Sequence, residues 1–160
     1  MKIALVRVDS RLIHGQIVEA WVPHTGASVL VVLNDAAAAS ARTRAVMAMC
    51  VPKSITVVVA RVADAAAVGA RGDLEQQTAI VLVATPRDAL AVHEAGLAFS
   101  RLNLGNLHYA PGKRQVSTSV SLDDDDREAL EALEARGVSI EARAVPRERS
   151  RPYHELAGTR

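Results

Sequence analysis

Aromatic side chains are scarce in this sequence: one tryptophan, two tyrosines and one phenylalanine stand among 160 residues. A core without them has to come from small and branched aliphatics, which suits helices laid closely on a sheet. The single cysteine, Cys50, excludes an internal disulfide framework and any cysteine-rich zinc site, and fits a reducing, cytoplasmic setting. No apolar run approaches the roughly 20 residues that span a bilayer. The start, MKIALVRVDS, has too short an apolar run for a secretory signal. Excess charge is missing too. At a formal net charge of +1 nothing global points to nucleic acid or to an anionic membrane surface. No Pro-, Gly- or Ser-rich linker divides the chain and no repeat is visible, so residues 1–160 read as one soluble domain. A polar tail, RERSRPYHELAGTR, begins at Arg147 and reads as partly mobile.

What is present alternates. β-Branched runs at 2–8, 28–34, 54–60 and 78–84 lack clean polar alternation, as expected for parallel strands covered on both faces. Between them lie alanine-rich stretches with helical spacing: Gly15 to Val22, Ser40 to Met49, Val62 to Arg71 and Arg87 to Glu94. RLNLGN at 101–106 reads as a further strand ending in a glycine turn, and QVSTSVSL at 115–122 as a strand nearer the sheet edge. LDDDDREALEALEARG is the clearest helix. Its aspartates favour the first turn against the helix dipole, and Gly137 stands where a C-terminal cap belongs. The acidic run is therefore a helix start rather than a metal site. VSIEARAVP reads as the final strand. Strand and helix in repetition predict an α/β fold with an open, mainly parallel sheet, whose chemistry gathers at the carboxyl ends of the strands.

On that fold RVDSRLIHGQ, residues 7–16, is the loop after the first strand. Asp9 to His14 turn at the strand's carboxyl end and Gly15 opens the first helix. His14 then sits at a helix N-terminus, whose free N–H groups favour an anion. Arg7 and Arg11 bracket the loop, and a guanidinium fork matches phosphate oxygens. Ser10 offers a hydroxyl. Asp9 is an acceptor that can hold one ring nitrogen of His14 protonated and leave the other free to attack. A neutral imidazole is a good nucleophile near pH 7, and once phosphorylated it remains a labile donor. A zinc site would want further ligands at short spacing, such as HExxH, which is absent. Local chemistry leaves two readings open: a phosphate-carrying histidine, or one that caps a helix or satisfies a loop carbonyl.

RVDSRLIHGQIVEAW closely resembles the signature of the mannose/fructose/sorbose family of phosphotransferase-system enzyme IIB subunits. VVLNDAAAASARTRAVMAMCVP and LNLGNLHYAPGKRQVSTSVSLDDDDREALEALEARGVSIEARAVP resemble the same family's second-strand segment and C-terminal third, so the likeness covers nearly all the chain to about residue 147. The resemblance implies a mainly parallel seven-stranded sheet with helices on both faces and an antiparallel edge. It implies that His14 accepts a phosphoryl group from a IIA partner at Nδ1, that Arg11 holds it, and that it passes to a sugar bound by membrane subunits IIC and IID. A transient phosphohistidine would then be the only covalent state, with no cofactor or metal, and a homodimer would follow by analogy. The protein would be cytoplasmic and peripherally associated with the membrane through IIC and IID. Ser10 departs from the aspartate many members carry there; removing a negative charge leaves phosphate binding unharmed.

Other candidates carry two readings each. His108, in GNLHYAPGK, either touches the phosphate or the IIA partner, or is a solvated loop histidine, the plainer reading. Lys113 and Arg114 can widen a positive rim. Asn34 and Asp35, at the end of the second strand, either orient the His14 loop or cap the next turn. Trp21 reads as packing rather than partner contact. His24, His93 and His154 read as surface, and Cys50 as a small buried side chain. Two other functions remain: a regulatory module that keeps the fold and is phosphorylated only as a signal, and a histidine phosphatase or mutase. The second normally places arginine immediately before its histidine, where isoleucine stands here.

Overall fold

The computed structural model describes residues 1–158. Its centre is a seven-stranded sheet in the order β3-β2-β4-β1-β5-β8-β9. The strands are β1 (Lys2–Asp9), β2 (Val29–Leu33), β3 (Thr56–Ala60), β4 (Thr78–Val83), β5 (Arg101–Asn106), β8 (Ser139–Ala142) and β9 (Arg151–Pro152). All neighbours pair in parallel except β9, which runs antiparallel to β8 at the edge. The central strands are buried on both faces, which is why their sequences run VLVVL and TAIVLV without polar alternation.

The two faces hold separate aliphatic clusters. Val6, Val8, Val31, Val81 and Leu104 face α4 (Ala65–Gly69), α5 (Pro86–Glu94), α6 (Asp124–Ala135) and α7 (Tyr153–Ala157). Leu30, Val32, Ile80 and Leu82 face Ile17, Trp21 and Ala37, from the first helix and from α2 (Asp35–Ala39). The chain thus leaves β1 for a helix on one face and leaves the adjacent β4 for a helix on the other. The carboxyl ends of these two strands form the switch point at which open α/β sheets build their sites.

Helix ends follow the sequence signals. Asp123 accepts from the Asp126 N–H at 2.8 Å, and Asp126 accepts in return from the Asp123 N–H, a reciprocal box that explains the acidic run. Gly137, at φ +84°, ends that helix.

Several local expectations are corrected. The first helix is not a plain α-helix. After Gly15 and Gln16 a π-helical turn, Ile17–Trp21, precedes α1 (Val22–Thr25); Ile17 and Trp21 are both buried, and the indole N–H donates to the Ala144 carbonyl at 2.9 Å. Val62 to Arg71 splits into a 3₁₀ turn, Val62–Asp64, and the short α4. Residues 115–122 form no strand of the main sheet; β6 (Arg114–Gln115) and β7 (Ser121–Leu122) make a separate small hairpin. The tail is neither the end of the fold nor loose, since β9 supplies the antiparallel edge and α7 buries Tyr153 and Leu156. Cys50 is exposed rather than buried. It ends α3 (Ala41–Met49), which lies outside α2 at the β3 edge and buries none of its residues fully.

Candidate functional site

Alternation along β1 turns Leu5, Arg7 and Asp9 to one face and Val6 and Val8 to the other. The chain then folds back in a tight loop. Ser10 N–H donates to the Asn106 carbonyl at 2.7 Å, Leu12 N–H to the Asp9 carbonyl at 3.0 Å and Arg11 N–H to Asp9 Oδ1 at 3.1 Å. Leu12 has φ +57°, a left-handed conformation that costs a branched side chain about 1–2 kcal/mol. Burial of Leu12 and Ile13 beside Ile17 and Trp21 offsets that strain and fixes the loop. His14 therefore emerges in one orientation, its side chain only 12% exposed.

The loop is built around the Asp9 carboxylate, which is fully buried. Its Oδ2 lies 2.8 Å from His14 Nε2 and accepts from Arg7 Nε and Nη2 at 3.1 and 2.9 Å and from Asn106 Nδ2 at 2.9 Å. Burial alone pushes this carboxyl upward, but the hydrogen bonds from His14 and Asn106 and the Arg7 charge together outweigh it and hold it below the usual range. An ionised carboxylate has no proton to give, so the bond to His14 requires hydrogen on Nε2. Nδ1 is left with its lone pair, and it makes no hydrogen bond among the described residues.

Arg7 is corrected from the expected phosphate ligand. It is completely buried, with Nη1 donating to Asn103 Oδ1 at 2.6 Å and to the Arg143 carbonyl at 3.2 Å, and its Cζ lies 5.2 Å from the Trp21 ring centre. Burial pulls its pKa down while Asp9 pulls it back up. With every nitrogen committed, Arg7 serves Asp9 and cannot reach an anion outside. Trp21 is packing, as expected, and packs against two guanidinium groups, since Arg143 Cζ also lies 5.2 Å from its ring centre.

Arg11 is exposed, and its guanidinium takes no acceptor among the described residues. Ser10 is exposed as well, its Oγ accepting a long 3.4 Å bond from the His108 N–H. Among the described residues the N–H groups of His14, Gly15 and Gln16 find no backbone acceptor, whereas the His14 carbonyl already accepts from Ile17 and Val18. Gly15 has open space where a Cβ would stand. Arg11, Ser10, Gly15 and the His14 imidazole thus share one accessible rim.

The remaining candidates separate from it. Asn34 caps α2 by accepting from the Ala37 N–H, and Asp35 accepts from the Val62 N–H. Asn34 follows the capping reading, whereas Asp35 ties the turn after β3 instead of capping the turn that follows it. His108 meets the rim through its backbone, with an exposed ring. Lys113 does not widen a positive rim, because its ammonium pairs with Asp126 and Asp123 at the start of α6. His24 and His93 pack edge-on against Trp21 and Phe99, and His93 is half-buried rather than on the surface. Sequence reading missed Asn103, Gly105, Asn106 and Gln16, whose Oε1 accepts from Asn106 Nδ2 at 2.8 Å. The signal was there in RLNLGN: two asparagines in a strand otherwise built for burial require polar partners.

Comparison with known proteins completes the picture. Residues 3–160 match the family described as PTS system sorbose subfamily IIB component. The sorbose-specific EIIB component of Klebsiella pneumoniae is 32% identical over 145 residues, covering 91% of this chain and 88% of that one. The mannose-specific EIIAB component of Escherichia coli (strain K12) is 33% identical over 145 residues, 91% of this chain but only 45% of that longer protein. The crystal structure of the IIBSor domain of the Klebsiella pneumoniae sorbose permease superposes with a TM-score of 0.91 at 30% identity, covering 98% of this chain and 96% of that one. With this match along its whole length, a mainly parallel sheet shared with solved relatives and a histidine poised at the switch point, the chain belongs to the mannose/fructose/sorbose family of sugar phosphotransferase-system IIB components.

Proposed function

We propose that His14 is the phosphoryl carrier of this IIB component, accepting phosphate at Nδ1 from a phosphorylated IIA subunit and passing it to a sugar presented by the membrane subunits IIC and IID. The observation that carries this reading is the 2.8 Å contact from His14 Nε2 to a buried, ionised Asp9. The carboxylate holds the proton on Nε2, so the attacking lone pair is on Nδ1 without any prior proton transfer. In the first step Nδ1 bonds to the donor's phosphorus as the donor's own N–P bond breaks. Asp9 then stabilises the charge that the phosphorylated ring gains. In the second step a sugar hydroxyl attacks phosphorus, the N–P bond returns its electron pair to Nδ1, and the hydroxyl proton passes to solvent water.

Arg11 and the unpartnered N–H groups of residues 14–16 supply fixed positive charge where the phosphoryl oxygens stand in transit. The roles of Ser10 and Gly15 are smaller: a hydroxyl donor, and an approach left open by the missing side chain. No helix of the described residues is long and apolar enough to cross a membrane; on this reading the chain meets IIC and IID at the inner face of the membrane. The test supplies phosphoenolpyruvate, enzyme I, the histidine-containing carrier protein and a matching IIA. The chain gains one acid-labile, alkali-stable phosphate, which a sugar-loaded IIC/IID membrane removes; phosphate that persists in His14→Ala contradicts the assignment. Failure to discharge to sugar favours a signalling role, and rapid release to water a phosphatase.

A further inference from the structure

We propose that Asn106, held in place by Gln16, is a positioning residue that draws off part of the Asp9 charge, so that the carboxylate fixes the tautomer of His14 without making the ring a cation; the inference rests on the carrier reading of His14. A carboxylate 2.8 Å from Nε2 acts on the imidazole in two ways. It keeps hydrogen on Nε2, and it also favours a second proton on Nδ1, because a charged ring pairs better with an anion. The second effect defeats the first. A ring protonated at both nitrogens has no lone pair with which to accept a phosphoryl group. Solvent does little to weaken the pull, since the Asp9 side chain is fully buried and that of His14 nearly so.

What weakens it is the crowd of donors on the oxygen that His14 uses. Oδ2 also accepts from Arg7 Nε and Nη2 and from Asn106 Nδ2, whereas Oδ1 accepts only the Arg11 N–H among the described residues. Apart from His14 itself, Asn106 is the one neutral donor on Oδ2. Its N–H, 2.9 Å away, competes directly with the imidazole for the same lone pairs. Burial works to raise the Asp9 carboxyl, and the hydrogen bonds from His14 and Asn106 act against that more strongly than the Arg7 charge does. The charged groups around the pair are Arg7 on β1 and Arg11 in the loop, with Glu141 on β8 behind Arg7 and Arg143 beside Glu141.

Strand and helix together place the amide. Asn106 ends β5, pairs with Asp9 across the sheet and accepts the Ser10 N–H on its carbonyl at 2.7 Å. An ionised carboxylate only accepts, so Nδ2 rather than Oδ1 has to face it. The second hydrogen on Nδ2 goes to Gln16 Oε1 at 2.8 Å. Without that acceptor the amide is free to turn its donor away from Asp9. Gln16 stands two residues after His14, so the helix start that carries the imidazole also sets the strength of its partner.

The test follows phosphorylation of His14 by phosphoramidate, a small donor that needs no docking surface, between about pH 6 and about pH 9. The full chain is compared with Asn106→Leu and with Gln16→Leu, each variant rate being divided by the wild-type rate at the same pH so that the donor's own titration cancels. Asn106→Leu is expected to be about tenfold slower at about pH 6 and to come within about twofold at about pH 9, where the surplus proton is lost. Gln16→Leu, at a half-buried position, moves the profile the same way by a smaller factor and carries the test should Asn106→Leu not fold. A rate ratio that is constant across pH, or that falls toward high pH, would show that the amide does not govern the ring proton and overturns the proposal. If wild-type His14 takes phosphate from neither phosphoramidate nor phospho-IIA, the carrier reading falls first and takes this one with it.

Discussion

The guanidinium of Arg7 fills the space that a side chain on Gly105 would need: a Cβ at that position would lie 2.0 Å from Arg7 Cζ. The two residues stand on neighbouring parallel strands, β1 and β5, where Arg7 pairs in register with Asn103. The glycine is required here by a neighbour and not by its own backbone, and the charge it accommodates is the one that balances buried Asp9.

Gly105→Ala should therefore displace Arg7, leaving a buried carboxylate short of its cation. Breaking a buried pair typically costs about 3–5 kcal/mol, and the loss of Asp9 alignment should slow phosphorylation of His14 as well. Chemical denaturation and a phosphorylation time course check the two effects together. An alanine variant with wild-type stability and rate would show that Arg7 has room to move and that the packing described here is not decisive.

Asp9→Asn tests the carboxylate itself. The amide keeps the shape but removes the charge, so Arg7 is left buried and uncompensated and Nε2 loses its claim on the ring proton. A fall in transfer rate of about 10²-fold is expected. The pH dependence has a definite sign. Because the folded pKa of Asp9 lies below its ordinary value of about 3.9, its stabilisation is complete above about pH 4 and is lost as pH falls through the lower folded value. Denaturation midpoints between pH 7 and pH 3 should thus fall more steeply for the wild type than for Asp9→Asn.

Arg11→Ala separates charge from fold. The side chain is exposed and unpaired, so the melting temperature should stay within a degree or two, roughly what an exposed substitution of ±0.5 kcal/mol produces. The transfer rate should drop about 10²-fold, since a phosphoryl group in transit loses its fixed counter-charge. A folded Arg11→Ala protein that transfers at a near-normal rate would remove Arg11 from the mechanism.

How far the sequence revealed these features depended on whether their physics is local. The parallel strands of the central sheet, the acidic first turn of α6 and the Gly137 stop were legible because burial, the helix dipole and positive φ leave their marks within a few residues. Arg7 was misassigned for the complementary reason. Two arginines spaced four apart look alike in sequence, and only the partner strand, with its asparagines and its glycine, shows that Arg7 turns inward and Arg11 outward. The same limit explains the tail. RERSRPYHELAGTR is polar on average, yet Tyr153 and Leu156 are spaced to bury one face of a short helix.

That correction has its own check. Leu156 is fully buried, so Leu156→Ala should cost about 2–4 kcal/mol, far more than any substitution in a mobile tail. A change below about 0.5 kcal/mol in a denaturant titration would mean that α7 does not pack on the sheet.

The most direct measurement is to locate the phosphate on the ring. The chain, labelled with nitrogen-15 at histidine and phosphorylated by phospho-IIA, shows by phosphorus and nitrogen magnetic resonance which nitrogen carries the group. The expected result is a single phosphoryl on Nδ1 of His14, with hydrogen retained on Nε2 toward Asp9. Phosphate on Nε2, or on any residue other than His14, would contradict the arrangement in which Asp9 protects one nitrogen so that the other can act.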